Sequence, residues 1–299
     1  MVWNKRLRAA LAGLGAVACL SCKALPPSGG LRGNETIPLK YPVLLVHGAG
    51  FRDKTLGYNY WGRIPGALSR QGIPVYYGGT DAWGSIENNA ESIKQAVHRV
   101  LQLERTGKVN IIAHSKGGLE ARYLISALGM DYAVASLTAI ATPHYGVKAM
   151  NIAAGAPDGL YRFISFWVNG WFMLAGDKNP EFFTGSRQLS ETYARSFNQA
   201  NPDKEAVYYQ SYAAKMRFFF SDLSFIGVYP LIYLADGVND GLCPVASAQW
   251  GNFRGVITTQ GVFGISHSGV VDLYRIAYKG VDIPEYYLTI LRDLAERGF

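Results

Sequence analysis

Residues 109–118 read VNIIAHSKGG. A nearly unbroken apolar run stops at a serine set between a histidine and a lysine, and two glycines follow at once. A run without polar alternation is the pattern of a strand buried on both faces. The next stretch, GGLEARYLISALG at 117–129, has helical character. Small residues two positions before Ser115 (Ala113) and two after it (Gly117) permit a tight strand-to-helix bend that pushes the hydroxyl outward. The bland reading of the same residues is a plain turn with Ser115 as a helix cap.

The pattern continues on both sides. PVLLVHG at 42–48 and PVYYGG at 74–79 are short β-rich runs, and VASLTAIATP at 134–143 is a further strand. Between them, Ile93, Val97, Val100 and Leu101 share one face of a helix over 88–104, with Asn88 and Glu91 as its capping pair and Gly107 as its stop. Apolar runs separated by helices predict an α/β fold: a mostly parallel central sheet with helices on both faces. Ligands then sit at the carboxyl ends of the strands. Residues 147–206 break this rhythm. GLYRFISFWVNGWFMLAG at 159–176 is densely aromatic, and MRFFFSDLSFIGVYPLIYLADG at 216–237 is a second apolar block. Asp222 and Pro230 make the second block a poor transmembrane helix. Core packing and a lid over a site are both open for these blocks, and an inserted lid or cap is expected over about 147–233.

The chain has 299 residues, 49% of them hydrophobic and 17% charged, which suits a large folded core. The net charge is +7, but Lys5, Arg6 and Arg8 supply three of those positives before residue 9. No basic run or nucleic-acid motif is present, so a DNA or RNA partner is not expected. Residues 1–22 carry those basic residues, an apolar segment from Ala9 to Leu20 and then small residues. The segment is shorter than the roughly 20 residues a spanning helix needs, and reads as an export signal. Ala16-Val17-Ala18 is an ordinary cleavage pattern, while Cys19 and Cys22 follow small residues as in a lipoprotein signal. A lipidated cysteine would tether the chain to a membrane at the bacterial envelope. Residues 23–40 read as a linker and 41–299 as the catalytic domain. Past the leader only Cys243 remains, which excludes a disulfide framework within the domain and reads as a buried small hydrophobe.

A serine nucleophile needs a base. Of the five histidines, His98 lies in a helix and His47 shapes a loop after its strand. His114 adjoins Ser115 and is expected to point away from it along the strand. His144, in ATPHYG, follows a strand but precedes any plausible acid. His267, in GVFGISHSGVVD, follows the last apolar run and is the expected base, since the chain order in such sites is Ser, acid, His. PLIYLADGVNDGLCPV offers Asp236 and Asp240 as the acid, and spacing alone leaves both open. The amides of Ala49, after His47-Gly48, and of Lys116 are the expected oxyanion donors. Only backbone is needed there, so these two side chains are expected to be permissive.

YPVLLVHGAGF, IIAHSKGGLEARY, IATPHYG, QLSETYARSFNQANPD with YYQSYA, VNDGLCPVASAQWG and ISHSGVVDL together resemble the bacterial triacylglycerol lipases of the α/β-hydrolase fold. They occur in that family's order and cover most of residues 41–275. The resemblance implies Ser115 as nucleophile, Asp240 as acid, His267 as base and Ala49 and Lys116 as oxyanion donors. It implies an exported lipase acting on acylglycerol or other ester lipids at a lipid interface, without a cofactor. A short-chain esterase or polyester depolymerase, or a non-catalytic lipid-binding surface protein, are the competing readings. Some members hold calcium through a carboxylate two residues after the catalytic histidine. Here that position is Gly269 and the nearest acid is Asp272, so the calcium pattern is incomplete.

Overall fold

The computed structural model describes residues 36–55, 58–155 and 158–299. The leader read at 1–22, with Cys19 and Cys22, lies outside the described residues, as does most of the 23–40 linker. Ile37, near the linker's end, is buried in the core, and the Lys40 amide donates to the carbonyl of Phe299.

Strand β1 (Val43–Val46) is followed by a small hairpin of β2 (Lys54–Thr55) and β3 (Tyr58–Asn59), then helix α1 (Ile64–Arg70) and β4 (Val75–Tyr77). Helix α2 (Ile86–Glu104) leads to β5 (Val109–His114), α3 (Lys116–Ser126) and β6 (Val134–Ile140). Four helices come next: α4 (Ala149–Ala154), α5 (Asp158–Leu174), α6 (Phe182–Arg187) and α7 (Glu191–Ala200). The chain closes with β7 (Tyr208–Ala214), α8 (Tyr229–Asp236), β8 (Asn252–Ile257) and α9 (Ile283–Glu296).

Six strands form one sheet in the order β4-β1-β5-β6-β7-β8, and every pair in it is parallel. Alternate residues of each strand feed opposite cores. Val43, Leu45 and Ile112 pack with Ile64 and Leu68 of α1 and Tyr287 and Leu291 of α9. Leu44, Val46, Ile111 and Ala113 pack with Ile93, Val97 and Val100 of α2 and Leu124 of α3. Both faces are therefore covered, which is why the strand sequences lack polar alternation. The chain runs from β1 outward to β4, then crosses back to β5 and proceeds the other way. That reversal, between β1 and β5, is where open α/β sheets leave a crevice. Gly48 follows β1 and Ser115 follows β5, so both loops lie at its mouth.

Two expectations change in detail. The cap of α2 is Ser85, whose hydroxyl accepts from the Asn88 amide, and the helix ends on Arg105 in the left-handed region, ahead of Gly107. The capping hydroxyl wins because Ser85 has the extended backbone a cap requires. The stretch expected as one insertion over 147–233 is two segments, because Tyr208–Ala214 is the β7 strand between β6 and β8. The first segment holds α4 to α7, and the second holds α8. Both carry exposed apolar side chains. On α5, Phe163, Phe166, Trp167, Trp171 and Leu174 face solvent, as do Phe218, Phe219, Phe220, Leu223 and Leu234 in the second segment. Among the described residues no helix is long and apolar enough to cross a membrane.

Candidate active site

Ser115 has φ 55° and ψ −130°, a left-handed backbone that a serine rarely adopts. Neighbours hold it there. Its amide donates to the Ile140 carbonyl of the adjacent strand at 3.0 Å, and its own carbonyl accepts from the Gly118 amide at 3.0 Å. The bend is possible only with glycines around it. A Cβ at Gly117 would lie 2.8 Å from the Val46 carbonyl, and one at Gly118 would collide with the side chain of Thr142. A Cβ at Gly48 would lie 2.7 Å from the Cβ of Ser115, so the loop after β1 is in contact with the serine. Among the described residues the amides of Ala49 and Lys116 donate to no protein group, whereas Gly48 donates to the Tyr60 hydroxyl at 3.2 Å and Gly50 to the Ala82 carbonyl at 2.9 Å. Two free amides thus flank Ser115, one from each loop. The Ser115 hydroxyl makes no hydrogen bond within the described protein, and its residue is partly exposed.

Asp240 and His267 are joined. His267 Nδ1 lies 2.8 Å from Asp240 Oδ2, and the His267 amide donates to the Asp240 carbonyl at 2.8 Å. The carboxylate is wholly buried, and its other oxygen accepts from the Cys243 amide at 2.7 Å and the Leu242 amide at 3.1 Å. Both oxygens are used, so the carboxylate has one orientation. With the Nδ1 proton given to Asp240, the lone pair of the imidazole sits on Nε2. Asp236, the other candidate acid, is occupied elsewhere: it accepts from the Lys148 and Ala149 amides at the start of α4. Cys243 is buried, and burial, then the charges of Asp240 and Asp236, push its thiol well up. A thiolate nucleophile is thereby disfavoured.

The remaining histidines differ. His47 is buried, its ring held between the Gly48 carbonyl and Thr80, as a loop-shaping residue should be. His98 is exposed on α2. His144 is buried and stacks on Trp250, with centroids 5.3 Å apart. His114 meets the candidate base. Its ring packs against the ring of His267, with centroids 4.4 Å apart. Tyr60, which sequence reasoning passed over, hydrogen-bonds His114 Nδ1 at 2.6 Å. The Tyr60 hydroxyl also accepts from the Gly48 amide at 3.2 Å, so it ties His114 to the loop after β1. Burial, then the neighbouring His267 and His47 charges, hold His114 far below the ordinary imidazole range. Burial also raises the Tyr60 phenol. His267 therefore lies against a neutral ring. No sequence motif marks Tyr60; its role depends on where the β3–α1 turn folds back.

The Lys116 side chain has partners of its own. It is fully buried and forms an ion pair with Glu120 at 2.5 Å. The calcium position does not fit a metal. A side chain at Gly269 would collide with the Tyr278 hydroxyl, and Asp272 is taken by a two-pronged ion pair with Arg63. Among the described residues no group of three His, Cys, Asp or Glu is placed to hold a metal ion.

Burial, then the charge of Arg122, lowers His144 as burial lowers His114. For both, the folded pKa lies below the unfolded value of 6.5. The unfolded chain then binds protons first as pH falls, so stability is intact above about pH 6.5 and declines below it. Thermal melting should show Tm falling between about pH 6.5 and pH 5, with a shallower fall in His144→Leu. An equal slope in that variant would contradict the assignment.

A family model described as palmitoyl protein thioesterase matches residues 42–221. Triacylglycerol lipase 2 of Saccharomyces cerevisiae is 28% identical over 264 residues, 82% of this chain and 76% of the relative. A triacylglycerol lipase of Pseudarthrobacter phenanthrenivorans is 37% identical over 175 residues, and the match spans only 54% of each chain. The crystal structure of a metagenomic carboxyl esterase superposes with a TM-score of 0.71 at 17% identity, covering 93% of this chain and 82% of that one. The resemblance to triacylglycerol lipases read from the sequence holds, and the sheet is that of the α/β-hydrolases. With more than half of its 299 residues matched, the chain belongs to the palmitoyl protein thioesterase family of α/β-hydrolases.

Proposed function

We propose that this chain is an exported serine ester hydrolase that cleaves acylglycerol esters at a lipid surface. The observation that carries the reading is the joined Asp240–His267 pair, whose imidazole packs on the ring of His114, the residue next to a serine on a strained strand-to-helix turn. In this reading His267 Nε2 takes the proton of Ser115 Oγ as the oxygen attacks the ester carbonyl. The tetrahedral oxyanion is received by the free amides of Ala49 and Lys116, each worth about 3 kcal/mol of barrier. His267 returns the proton to the leaving alcohol, and water then cleaves the acyl-enzyme by the same route. Asp240 keeps the imidazole in the tautomer whose lone pair faces the serine side and stabilises the imidazolium. A resting site commonly tightens its serine–histidine bond only when substrate arrives, so the unbonded hydroxyl fits this scheme.

Lipid is favoured over a soluble ester by the exposed aromatic face of α5 and the second apolar segment. Aromatic side chains with polar tips suit a water–lipid boundary. The names of the relatives point the same way. A thioester is a second reading, which the family model favours, and the same triad would cleave it. A purely binding role is disfavoured, because a binder has no use for a histidine oriented by a buried carboxylate. Export rests on the leader at 1–22, and a membrane tether on Cys19 or Cys22.

A fluorophosphonate probe should label Ser115, and Asp240→Asn should lower kcat by about 10⁴-fold; an adduct elsewhere would refute the nucleophile. Hydrolysis of long-chain triglyceride should rise sharply above the concentration at which it forms an emulsion, and outpace a matched acyl thioester. A smooth saturation curve, or a faster thioester, would remove the acylglycerol reading. Intact mass of the mature protein should show the chain beginning after Ala18, or at an acylated cysteine. Retention of Met1 in protein recovered from the envelope or medium would sink export.

A further inference from the structure

Lys116 has two functional ends, and only its amide is used above. We propose that its side chain is a positioning residue, which locks the first turn of α3 to the segment that receives the α5–α6 insertion. The inference rests on the reading of the Lys116 amide as an oxyanion donor. The side chain is fully buried, and Nζ donates to the Gly84 carbonyl at 2.7 Å and to Glu120 Oε1 at 2.5 Å. Glu120 Oε1 also accepts from Asn89 Nδ2 at 2.8 Å, and Asn89 bonds the amide and the carbonyl of Asp81 at 3.0 and 2.9 Å. One buried cluster thus fixes the 81–84 turn against α3.

The other side of that turn belongs to the insertion. Asp177 accepts from the Ala82 amide at 2.9 Å and the Trp83 amide at 3.2 Å. Glu181 Oε2 accepts from the Ser85 amide at 3.0 Å and its hydroxyl at 2.7 Å, and the Glu181 amide donates to the Trp83 carbonyl at 2.8 Å. Gln188 accepts from the Ile86 amide at 2.8 Å. A Cβ on Gly185 would sit 3.0 Å from the Gly84 carbonyl and 3.6 Å from Lys116 Cε, so the layers are in contact. Residues 82–86 are clamped between the insertion and Lys116.

A stability role alone does not explain this choice of residues. A buried ion pair is commonly no better than an apolar pair of the same volume. Glu120 Oε2 is buried with no partner, which adds a cost. What the ammonium adds is a donor aimed at one carbonyl, Gly84, from the residue whose own amide faces the reaction. An error of about 1 Å in such an amide costs on the order of 100-fold in rate. Asp177 follows the exposed aromatic helix α5 by three residues, so an insertion seated on lipid is connected to the oxyanion donor through the 82–84 turn and the Lys116 side chain.

The test uses the full chain, a soluble short-chain nitrophenyl ester and a fluorophosphonate. The double variant K116M/E120L replaces the ion pair with apolar side chains and leaves no buried unpaired charge. It should melt near the wild type while kcat falls about 100-fold with KM within about 3-fold. Glu181→Gln should lower kcat more modestly and add nothing further in the double-variant background, as members of one chain of contacts do. Wild-type kcat in a folded double variant would overturn the inference. Should that variant not fold, wild-type kcat in Glu181→Gln would overturn it instead. In both cases continued labelling of Ser115 in the wild type leaves the ester-hydrolase reading standing, and no labelling there removes both.

Discussion

The left-handed backbone of Ser115 is the constraint around which this end of the molecule is built. Such a conformation costs a non-glycine residue about 1–3 kcal/mol and survives only where neighbours over-determine it. Here the neighbours are a strand bond to Ile140, a turn bond from Gly118, and three glycines where any side chain would strike β1, Thr142 or the serine itself. The reward is geometric. The chain leaves β5 and starts α3 within one residue, so the hydroxyl is left without a protein partner among the described residues, beside the free amide of Lys116. The same sharpness draws the loop after β1 into contact, which brings a second free amide.

Charge is arranged with similar economy. The Asp240 carboxylate is buried but bonded on both oxygens, so it stays where His267 needs it. The ring of His114 that packs on His267 is neutral, since burial holds it far below the ordinary imidazole range. In the proposed reaction His267 becomes an imidazolium. A second cationic imidazole at that distance would oppose it, whereas a neutral ring offers a polarisable face. Tyr60 serves both parts: it orients His114 and it holds the Gly48 amide, directing the donor role to Ala49.

Much of this was legible in the sequence, and the exceptions share a cause. The strands showed because both faces of the sheet are covered. The serine turn showed because its small residues fall at fixed offsets, and His267 showed because the chain order of such sites is limited, whereas Asp240 came from the family resemblance, spacing having left Asp236 open as well. Periodicity could not place residues across a break in periodicity. The contact of the His114 ring with His267 has no local signature, and the segment expected as one insertion conceals β7. Hydrogen-bond partners distant in the chain were equally invisible. Asp236 resembles Asp240 in sequence yet caps α4, and the side chain of Lys116 is committed to Gly84 and Glu120. These are outcomes of tertiary contact, which no local pattern records.

Catalysis here requires that one point in space be shared by the Ser115 hydroxyl, the His267 imidazole and the two free amides. A crystal structure of the phosphonylated protein reads that directly. Phosphorus should lie on Ser115 Oγ, its free oxygen about 2.7–3.1 Å from both the Ala49 and Lys116 nitrogens, and His267 Nε2 within hydrogen-bond reach of the ester oxygen. An adduct whose oxygen points to solvent, with neither amide within about 4 Å, would contradict it.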